Sequence, residues 1–207
     1  MIVIALNGPI LSGKDYVAGK LAGPLIEEGY SVHTAQFKSC LYEWVSRFYN
    51  IPMDDLNGFF QRERKEMPCI EFNGLSPRQA IIHVSENVIK PMLGSDYIAE
   101  HTVRSILKQK ADVVIVSDIG FQEEMDSLEG SFGPPKCLLI KIATTRDGIK
   151  LTYGDNDSRN YVTAYRSPTF HLSNKYFTSG DPDKNKEPDL APILDYIRNN
   201  VHPSVHK

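Results

Sequence analysis

Two hydrophobic patterns alternate along the chain. Mainly apolar runs at residues 2–6, 113–116 and 136–142 are typical of strands that are buried on both faces of a sheet. The stretches 31–37 and 170–172 indicate two further strands. Between these runs, apolar residues recur every three or four positions, which is the spacing of helices with one buried face. The alternation predicts one doubly wound α/β domain with a mostly parallel sheet.

Particular residues mark where the predicted helices begin and end. Gly29 ends the first helical pattern, and Ser76 followed by Gln79 predicts a capping box at the start of a later helix. Pro77 suits the first position of that helix, because an N–H there would have no partner within the helix. The predicted helices cover residues 14–28, 38–49, 78–89, 97–109, 122–128 and 190–201.

Two regions follow neither pattern. Residues 50–77 contain several prolines and glycines, which predicts irregular structure. Residues 144–168 are polar and carry arginines, which favours a loop or a lid.

Composition narrows the class of protein. The 207 residues suffice for one large core, and the formal net charge of −3 gives no general attraction to DNA or to an anionic membrane. Cys40, Cys69 and Cys137 lack zinc spacing and predict free thiols in a reducing compartment. No apolar run is long enough to cross a membrane, so we expect a cytoplasmic protein without a membrane partner.

The candidate chemistry lies directly after the first predicted strand. The motif G-x-x-x-x-G-K runs from Gly8 to Lys14, and a predicted helix follows it. Its glycines permit a tight turn in which backbone N–H groups and the helix N-terminus face phosphate oxygens. Lys14 is expected to reach the β- and γ-phosphates of a nucleoside triphosphate. The predicted ATP-binding residues are Gly8, Leu11, Ser12, Gly13, Lys14, Asp15 and Tyr16.

Two acidic residues are candidate ligands of Mg²⁺. Asp15 stands where such motifs usually have Ser or Thr, and it either holds the metal through water or caps the helix. Asp118 ends a buried strand on the ligand side of a parallel sheet. There it either holds Mg²⁺ or its water shell, or it caps the helix that follows.

Three further landmarks follow the loop in order. They are Phe37-Lys38 closing the second strand, Ser76-Pro77-Arg78-Gln79 opening a helix, and Val114-Ile115-Val116-Ser117-Asp118. Together with the G-K-D loop they resemble the bacteriophage deoxynucleoside monophosphate kinase family over residues 1–175. The resemblance implies transfer of the γ-phosphoryl group of ATP to a deoxynucleoside monophosphate, with Mg²⁺ as the metal. It also suggests a homodimer, located in the host cytoplasm if the chain is phage-encoded.

The resemblance also implies an architecture. We expect a single domain with a three-layer P-loop NTPase fold, a mostly parallel central sheet, a helical acceptor-binding insertion and a lid segment. The expected core covers residues 1–37, 110–145 and 168–201, the insertion covers 38–109 and the lid covers 144–168.

Phosphoryl transfer brings two polyanions together, so the site needs several cations. Arg78 is expected to bind the acceptor phosphate, because the resemblance to the family's Pro-Arg turn is best there. The expected acceptor-binding residues are Phe37, Lys38, Arg62, Arg64, Arg78 and Asp118. The expected catalytic residues are Lys14, Asp15, Asp118, Arg146 and Arg159.

Several alternatives stay open at the level of sequence. The family often carries Asp-x-Arg after this strand, but Asp118-Ile119-Gly120 stands here, so one phosphate contact must come from elsewhere. The same departure weakens a resemblance to animal phosphomevalonate kinases, which share the G-K-D loop. Some similar phage kinases phosphorylate hydroxymethylated bases in DNA, and that activity would make nucleic acid a partner. A GTP-binding switch would carry N-K-x-D, whereas Asn174-Lys175-Tyr176-Phe177 lacks the aspartate.

Overall fold

The computed structural model describes residues 1–61, 63–154, 159–176 and 188–204, with the backbone alone for Tyr176. The chain divides into two compact units. The first, termed the sheet unit, comprises Met1–Gln36 and Val103–Lys207, and the second, termed the helical unit, is Phe37–Thr102. In the described part of the chain, no helix combines the length and the hydropathy that a membrane crossing needs.

The sheet unit is built around six strands. They are β1 Ile2–Asn7, β2 Val32–Ala35, β3 Val113–Ile119, β4 Cys137–Arg146, β5 Ile149–Lys150 and β6 Thr169–Tyr176. The order is β2-β3-β1-β4, with β6 on the other edge of β4. These five strands are parallel, and β5 alone pairs antiparallel, with the end of β4.

Helices cover both faces of this sheet. On one face, α1 (Lys14–Glu27) and α8 (Ala191–Asn200) pack against alternate β1 residues, among them Ile4. Val3 is fully buried but lies outside that cluster, because successive strand residues point to opposite faces. On the face to which Val3 points, α7 (Gln122–Phe132) contacts β1 and β4. The predicted α/β class with a mostly parallel sheet is confirmed. The sheet unit has three layers, with helices on both faces of the sheet.

The lengths of the strands bring a hairpin to the end of β1. Asn7 of β1 pairs with Lys141 of β4, whereas β4 continues to Arg146. β6 occupies the other edge of β4 throughout this extension, so β5 pairs on the edge that β1 has left. The β4–β5 hairpin therefore extends beyond the carboxyl end of β1, where residues 8–13 begin.

Three predicted boundaries in the sheet unit were wrong. The prediction placed residues 144–146 in a loop because they are polar, but β4 runs through them. It stays extended because β6 pairs with it from Leu139 to Arg146. β6 is also longer than the predicted run at 170–172, for the same reason. The second strand ends at Ala35, and Phe37 begins a helix instead of closing the strand.

The helical unit packs around a separate apolar cluster. Its buried members include Val45, Leu56, Phe72 and Val84. Its helices are α2 Phe37–Tyr49, α3 Met53–Phe59, α4 Pro77–His83 and α5 Lys90–Leu93, and α6 Tyr97–Leu107 begins in it. A π-helical stretch, Val84–Ile89, joins α4 to α5, and a 3₁₀ turn covers Ile70–Phe72.

The helix boundaries in this unit are partly as predicted. The capping box of Ser76 and Gln79 is present, with Pro77 at the helix start. The prediction of irregular structure for residues 50–77 was wrong over α3. That helix starts after Pro52, and Leu56 is fully buried, so tertiary packing favours a helix that its local sequence signals only weakly.

One buried carboxylate ties three segments of the sheet unit together. Asp112 precedes β3 and accepts hydrogen bonds from the backbone N–H and hydroxyl of Ser31, at 2.9 and 2.7 Å. It also accepts from the backbone N–H and hydroxyl of Ser204. Burial acts to raise the pKa of this carboxyl, but the hydrogen bonds from Ser204 and Ser31 outweigh it and lower the pKa to about 2.

Candidate nucleotide-binding site

Residues 8–13 form a tight turn between β1 and α1. Gly13 at the N-cap of α1 has a φ of 83°, which a residue with a Cβ seldom adopts. At Gly8 the constraint is space, because a Cβ there would lie 2.7 Å from the Ser12 hydroxyl and 2.9 Å from the Ile142 carbonyl. Both glycines of the motif are therefore required by the geometry. The loop thus matches the P-loop motif in sequence, and it joins a buried strand to a helix as that motif requires.

Lys14 lies across this loop. Its ammonium donates to the carbonyl oxygens of Gly8 and Pro9, at 2.6 and 2.8 Å, which places a positive charge at the start of the loop. The hydroxyl of Ser12 is buried, and within the described residues it has no hydrogen-bond partner. A buried polar group without a partner is costly, so this hydroxyl is suited to a ligand oxygen. The loop thus fits an anionic group such as a phosphate.

Leu11 in the loop and Tyr16 in the first turn of α1 keep exposed surface. Leu11 is 40% exposed at a φ of 66°, which is uncommon for a residue other than glycine. Tyr16 is 44% exposed, and the ammonium of Lys20 lies 5.4 Å from the centre of its ring.

The two acidic candidates do not act as helix caps. The N-cap of α1 is Gly13, and Asp15 is an exposed residue in the first turn, where its charge is favourable to the helix dipole. Asp118 is the penultimate residue of β3, and the N-cap of α7 is Phe121. The capping alternatives are therefore wrong for both. Because Asn7 pairs with Ile119, Asp118 lies at the same edge of the sheet as the loop.

Asn7 holds the segments around the loop. Its side-chain amide donates to the Ile119 carbonyl at 3.0 Å and to the Asn160 carbonyl at 3.1 Å, and also contacts the Tyr153 hydroxyl at 3.0 Å. Its side-chain oxygen accepts the N–H of Val162 at 3.1 Å. Asn7 is fully buried. It connects β1 to β3 and to both described parts of the predicted lid, residues 144–154 and 159–168.

Two more strand ends contribute polar groups to the loop. The Thr144 hydroxyl, on β4, donates to the carbonyl of Ser12 at 2.8 Å. Asn174, on β6, places its side-chain nitrogen 3.1 Å from where a Cβ of Gly13 would be. The sequence prediction did not include Asn7, Thr144 or Asn174. The rule that the carboxyl ends of parallel strands meet at one edge would have indicated them, had the strand ends been known.

Arg159 lies against the turn that follows β3. Its Cβ, Cγ and Cδ atoms lie 2.7 to 2.8 Å from where a Cβ of Gly120 would be, and the N–H of Asn160 donates to the Gly120 carbonyl at 2.8 Å. A larger residue at position 120 would displace the arginine. Glycine at position 120 thus makes room for Arg159.

Glu124 supports the same turn from the first turn of α7. Its carboxyl accepts the N–H groups of Gly120 and Phe121, at 2.8 and 3.1 Å. Burial raises the pKa of Glu124 to about 8, the two hydrogen bonds oppose that rise, and the charge of Asp118 adds to it. The candidate site therefore has a third acidic group near Asp118, and this group keeps its proton near neutral pH.

The remaining predicted lid arginine lies in the β4–β5 hairpin. Arg146 ends β4, and its Nε lies 3.8 Å from a carboxylate oxygen of Asp147 at the turn. Farther along, residues 165–167 are tied to α7, where the Glu129 carboxylate accepts three backbone N–H groups at 2.6 to 3.0 Å. The described parts of the predicted lid are thus hydrogen-bonded to Asn7 of β1 and to Glu129 of α7.

The predicted acceptor residues belong to the helical unit, except for Asp118. Phe37 is 2% exposed, which favours a packing role over contact with a ligand. Lys38 follows it in the first turn of α2, and Arg64 places its guanidinium 4.9 Å from the ring centre of Phe59. Arg78 donates from Nε to Glu66 at 2.6 Å, with both side chains exposed. Arg62 lies outside the described residues.

The chain offers no protein-only metal cage in its described part. No group of three or more His, Cys, Asp or Glu side chains there is placed to hold a metal ion. A Mg²⁺ ion bound by one or two carboxylates, phosphate oxygens and water would not need such a group. Asp15 and Asp118 are the acidic residues beside the loop that suit this mode.

Comparisons with known proteins give only a distant likeness. No protein family profile and no curated protein sequence matches the chain. Among solved structures, the signal recognition particle receptor FtsY from Elizabethkingia anophelis is 18% identical with a TM-score of 0.35, over 69% of this chain and 41% of FtsY. Cell division protein FtsY from Thermotoga maritima is 15% identical with a TM-score of 0.35, over 69% and 43% of the two chains.

A further FtsY structure, from Elizabethkingia anophelis in complex with GDP, is 16% identical with a TM-score of 0.33, over 95% of this chain and 63% of FtsY. This chain thus spans less than two thirds of the length of the FtsY chains it matches. TM-scores of this size do not indicate a shared ligand or activity. The candidate nucleotide-binding loop accordingly rests on its own sequence motif and geometry.

Proposed function

We propose that this chain is an ATP-dependent kinase that phosphorylates a deoxynucleoside monophosphate. The observation that carries the proposal is the P-loop itself. The loop contains two glycines that its geometry requires and the buried Ser12 hydroxyl, which has no hydrogen-bond partner in the described residues. The ammonium of Lys14 places a positive charge against it. Asp118 is the penultimate residue of the neighbouring strand, at the same sheet edge. The choice of acceptor rests on the sequence resemblance alone.

In this proposal the residues position charge and do no covalent chemistry. An oxygen of the acceptor phosphate forms a bond to the γ-phosphorus of ATP, the bond to the β,γ-bridging oxygen breaks, and ADP leaves. Lys14 and the loop N–H groups hold the β- and γ-phosphates, and Arg146 and Arg159 offset charge on the transferring group. Asp118 and Asp15 would hold Mg²⁺, which neutralises phosphate charge when bound. Arg78 would hold the acceptor phosphate.

A coupled ADP-release assay tests the proposal. Mg-ATP is supplied with dAMP, dGMP, dCMP, dTMP or dUMP, and in parallel with DNA that contains hydroxymethylated bases. Turnover with a mononucleotide is the expected result. Turnover with the modified DNA alone would replace the proposal with base hypermodification, and ATP consumption independent of any acceptor would replace it with an NTPase activity.

The variant Lys14→Ala shows whether any turnover belongs to the P-loop. Loss of this fixed cation is expected to lower kcat about 100-fold or more, with an unchanged fold by circular dichroism. The matched control is Lys110→Ala, because Lys110 is an exposed lysine of the same unit that lies away from the loop in sequence. Equal turnover in the two variants would contradict the assignment of the P-loop.

A further inference from the structure

The helical unit carries a cleft of about 280 Å³ between α2 and the start of α6. None of the residues that line it belongs to the predicted acceptor set. Small-molecule sites usually occupy about 300 Å³ or more, so this cleft has the volume of a small site and can hold a flat ring system. Its lining consists of Glu43, Trp44, Arg47, Phe48, Tyr97 and His101.

The aromatic walls of this cleft are held in place from behind. Trp44 and Tyr97 meet edge to face, with ring centres 6.1 Å apart, and both pack against the apolar cluster of the helical unit. Tyr97 also contacts the ring of His101 at 5.8 Å. Phe48 is fixed by the rings of Tyr49 and His83 and is still 48% exposed. The cleft thus presents prearranged aromatic surface to solvent, which favours a flat aromatic ligand.

Two opposite charges stand at the same cleft. Glu43 and Arg47 are one turn apart on α2, a spacing at which such side chains usually pair. Both are exposed, and within the described part of the chain neither takes part in an ion pair at 4.0 Å or less. A carboxylate and a guanidinium therefore remain available to a ligand between aromatic walls.

Nucleobases combine a flat ring with hydrogen-bonding edges. A carboxylate accepts two parallel N–H groups, and guanine offers such a pair at N1 and N2. A guanidinium donates to two neighbouring acceptors, and guanine offers these at O6 and N7. We propose that the cleft is a nucleobase-binding site with a preference for guanine. Binding there requires neither ATP nor phosphoryl transfer, so the site goes beyond the proposed kinase activity.

The single tryptophan of the chain provides a direct readout, because Trp44 lines the cleft. Its fluorescence is followed during titration with deoxyguanosine, deoxyadenosine, deoxycytidine and thymidine, and with deoxyribose 5-phosphate as a ligand without a base. N-acetyltryptophanamide corrects for absorption by the bases. We expect a saturable change that is tightest with deoxyguanosine and absent with the sugar phosphate. No saturable change, or equal affinity for all four nucleosides, would overturn the proposal.

Variants locate the binding. Glu43→Gln is expected to weaken deoxyguanosine binding about tenfold, and Phe48→Ala to weaken binding of every nucleoside. The matched control is Glu71→Gln, an exposed glutamate of the same unit that does not line the cleft. Phe48 is half exposed, so its variant is expected to fold, which thermal unfolding checks.

Lys14→Ala separates this site from the kinase proposal. It is expected to bind deoxyguanosine like the wild type while it loses phosphoryl transfer. Loss of nucleoside binding in that variant would assign the signal to the P-loop and overturn the cleft. Failure of transfer in the wild-type protein, with intact nucleoside binding, would instead count against the kinase proposal alone.

Discussion

At the scale of single residues, Glu124 is the most deeply buried acidic group at the site. It is 9% exposed, and its pKa is raised to about 8 by burial. The folded carboxyl therefore keeps a proton that the unfolded chain loses near its ordinary value of 4.5. Its contribution to stability is full below that value and is lost as pH rises towards about 8.

This linkage predicts the behaviour of Glu124→Gln. The glutamine stays neutral and can still accept a backbone N–H, so the pH-dependent loss is expected to disappear. Between pH 5 and 8, the free energy of unfolding of the wild type should fall about 3 kcal/mol more than that of the variant. Urea unfolding at several pH values measures this difference. Glu27→Gln, at an exposed site, should follow the wild type, and parallel curves for all three proteins would contradict the raised pKa.

At the scale of elements, the connection between α7 and residues 165–167 depends on one carboxylate. Burial acts to raise the pKa of Glu129, but hydrogen bonds from the N–H groups of Tyr165, Arg166 and Ser167 lower it overall. The anchoring is therefore complete above the ordinary value of 4.5 and is lost only as acid protonates the folded carboxyl below it.

Glu129→Gln tests this anchor. The amide group of glutamine points a donor at N–H donors, so at least one of the three hydrogen bonds is lost. We expect a destabilisation of about 1–3 kcal/mol and faster hydrogen exchange of the amides at 165–167. Glu123→Gln, at an exposed position of the same helix, is the control and should leave that exchange unchanged. Unchanged exchange in Glu129→Gln would show that other contacts hold the segment.

At the scale of the whole molecule, the chain separates a sheet unit that carries the P-loop from a helical unit that carries Arg78. If the proposed function is correct, ATP binding and acceptor binding respond to different variants. Arg78→Ala should raise the KM for the acceptor about tenfold or more, because a charge-assisted contact to a phosphate is lost, and should leave the KM for ATP unchanged.

Initial rates over a grid of ATP and acceptor concentrations measure this split. Glu66→Gln is the matched control, since it removes the carboxylate partner of Arg78 and keeps the guanidinium. It should lower or preserve the acceptor KM. A rise in the ATP KM alone for Arg78→Ala would show that the division of roles is wrong.

Several features were predictable because they depend on local sequence. The loop after β1 needs glycine at two positions, and the capping box needs Ser76 and Gln79 three residues apart. Both features could therefore be predicted from the sequence alone. α3 was missed, because Pro52 and Gly58 suggest a loop while the burial of Leu56 depends on residues distant in sequence. The length of β4 was missed because it depends on pairing with β6.

By itself, the sequence determined the α/β class, the parallel sheet and the P-loop, because strand burial, helical spacing and glycine geometry are short-range properties. The tertiary structure alone decided which polar groups surround that loop. Asn7, Thr144 and Asn174 come from three strands and meet because parallel strands end at one edge. It also decided that Arg159 packs on Gly120 and that Glu124 is buried, since packing between distant segments sets contact and pKa.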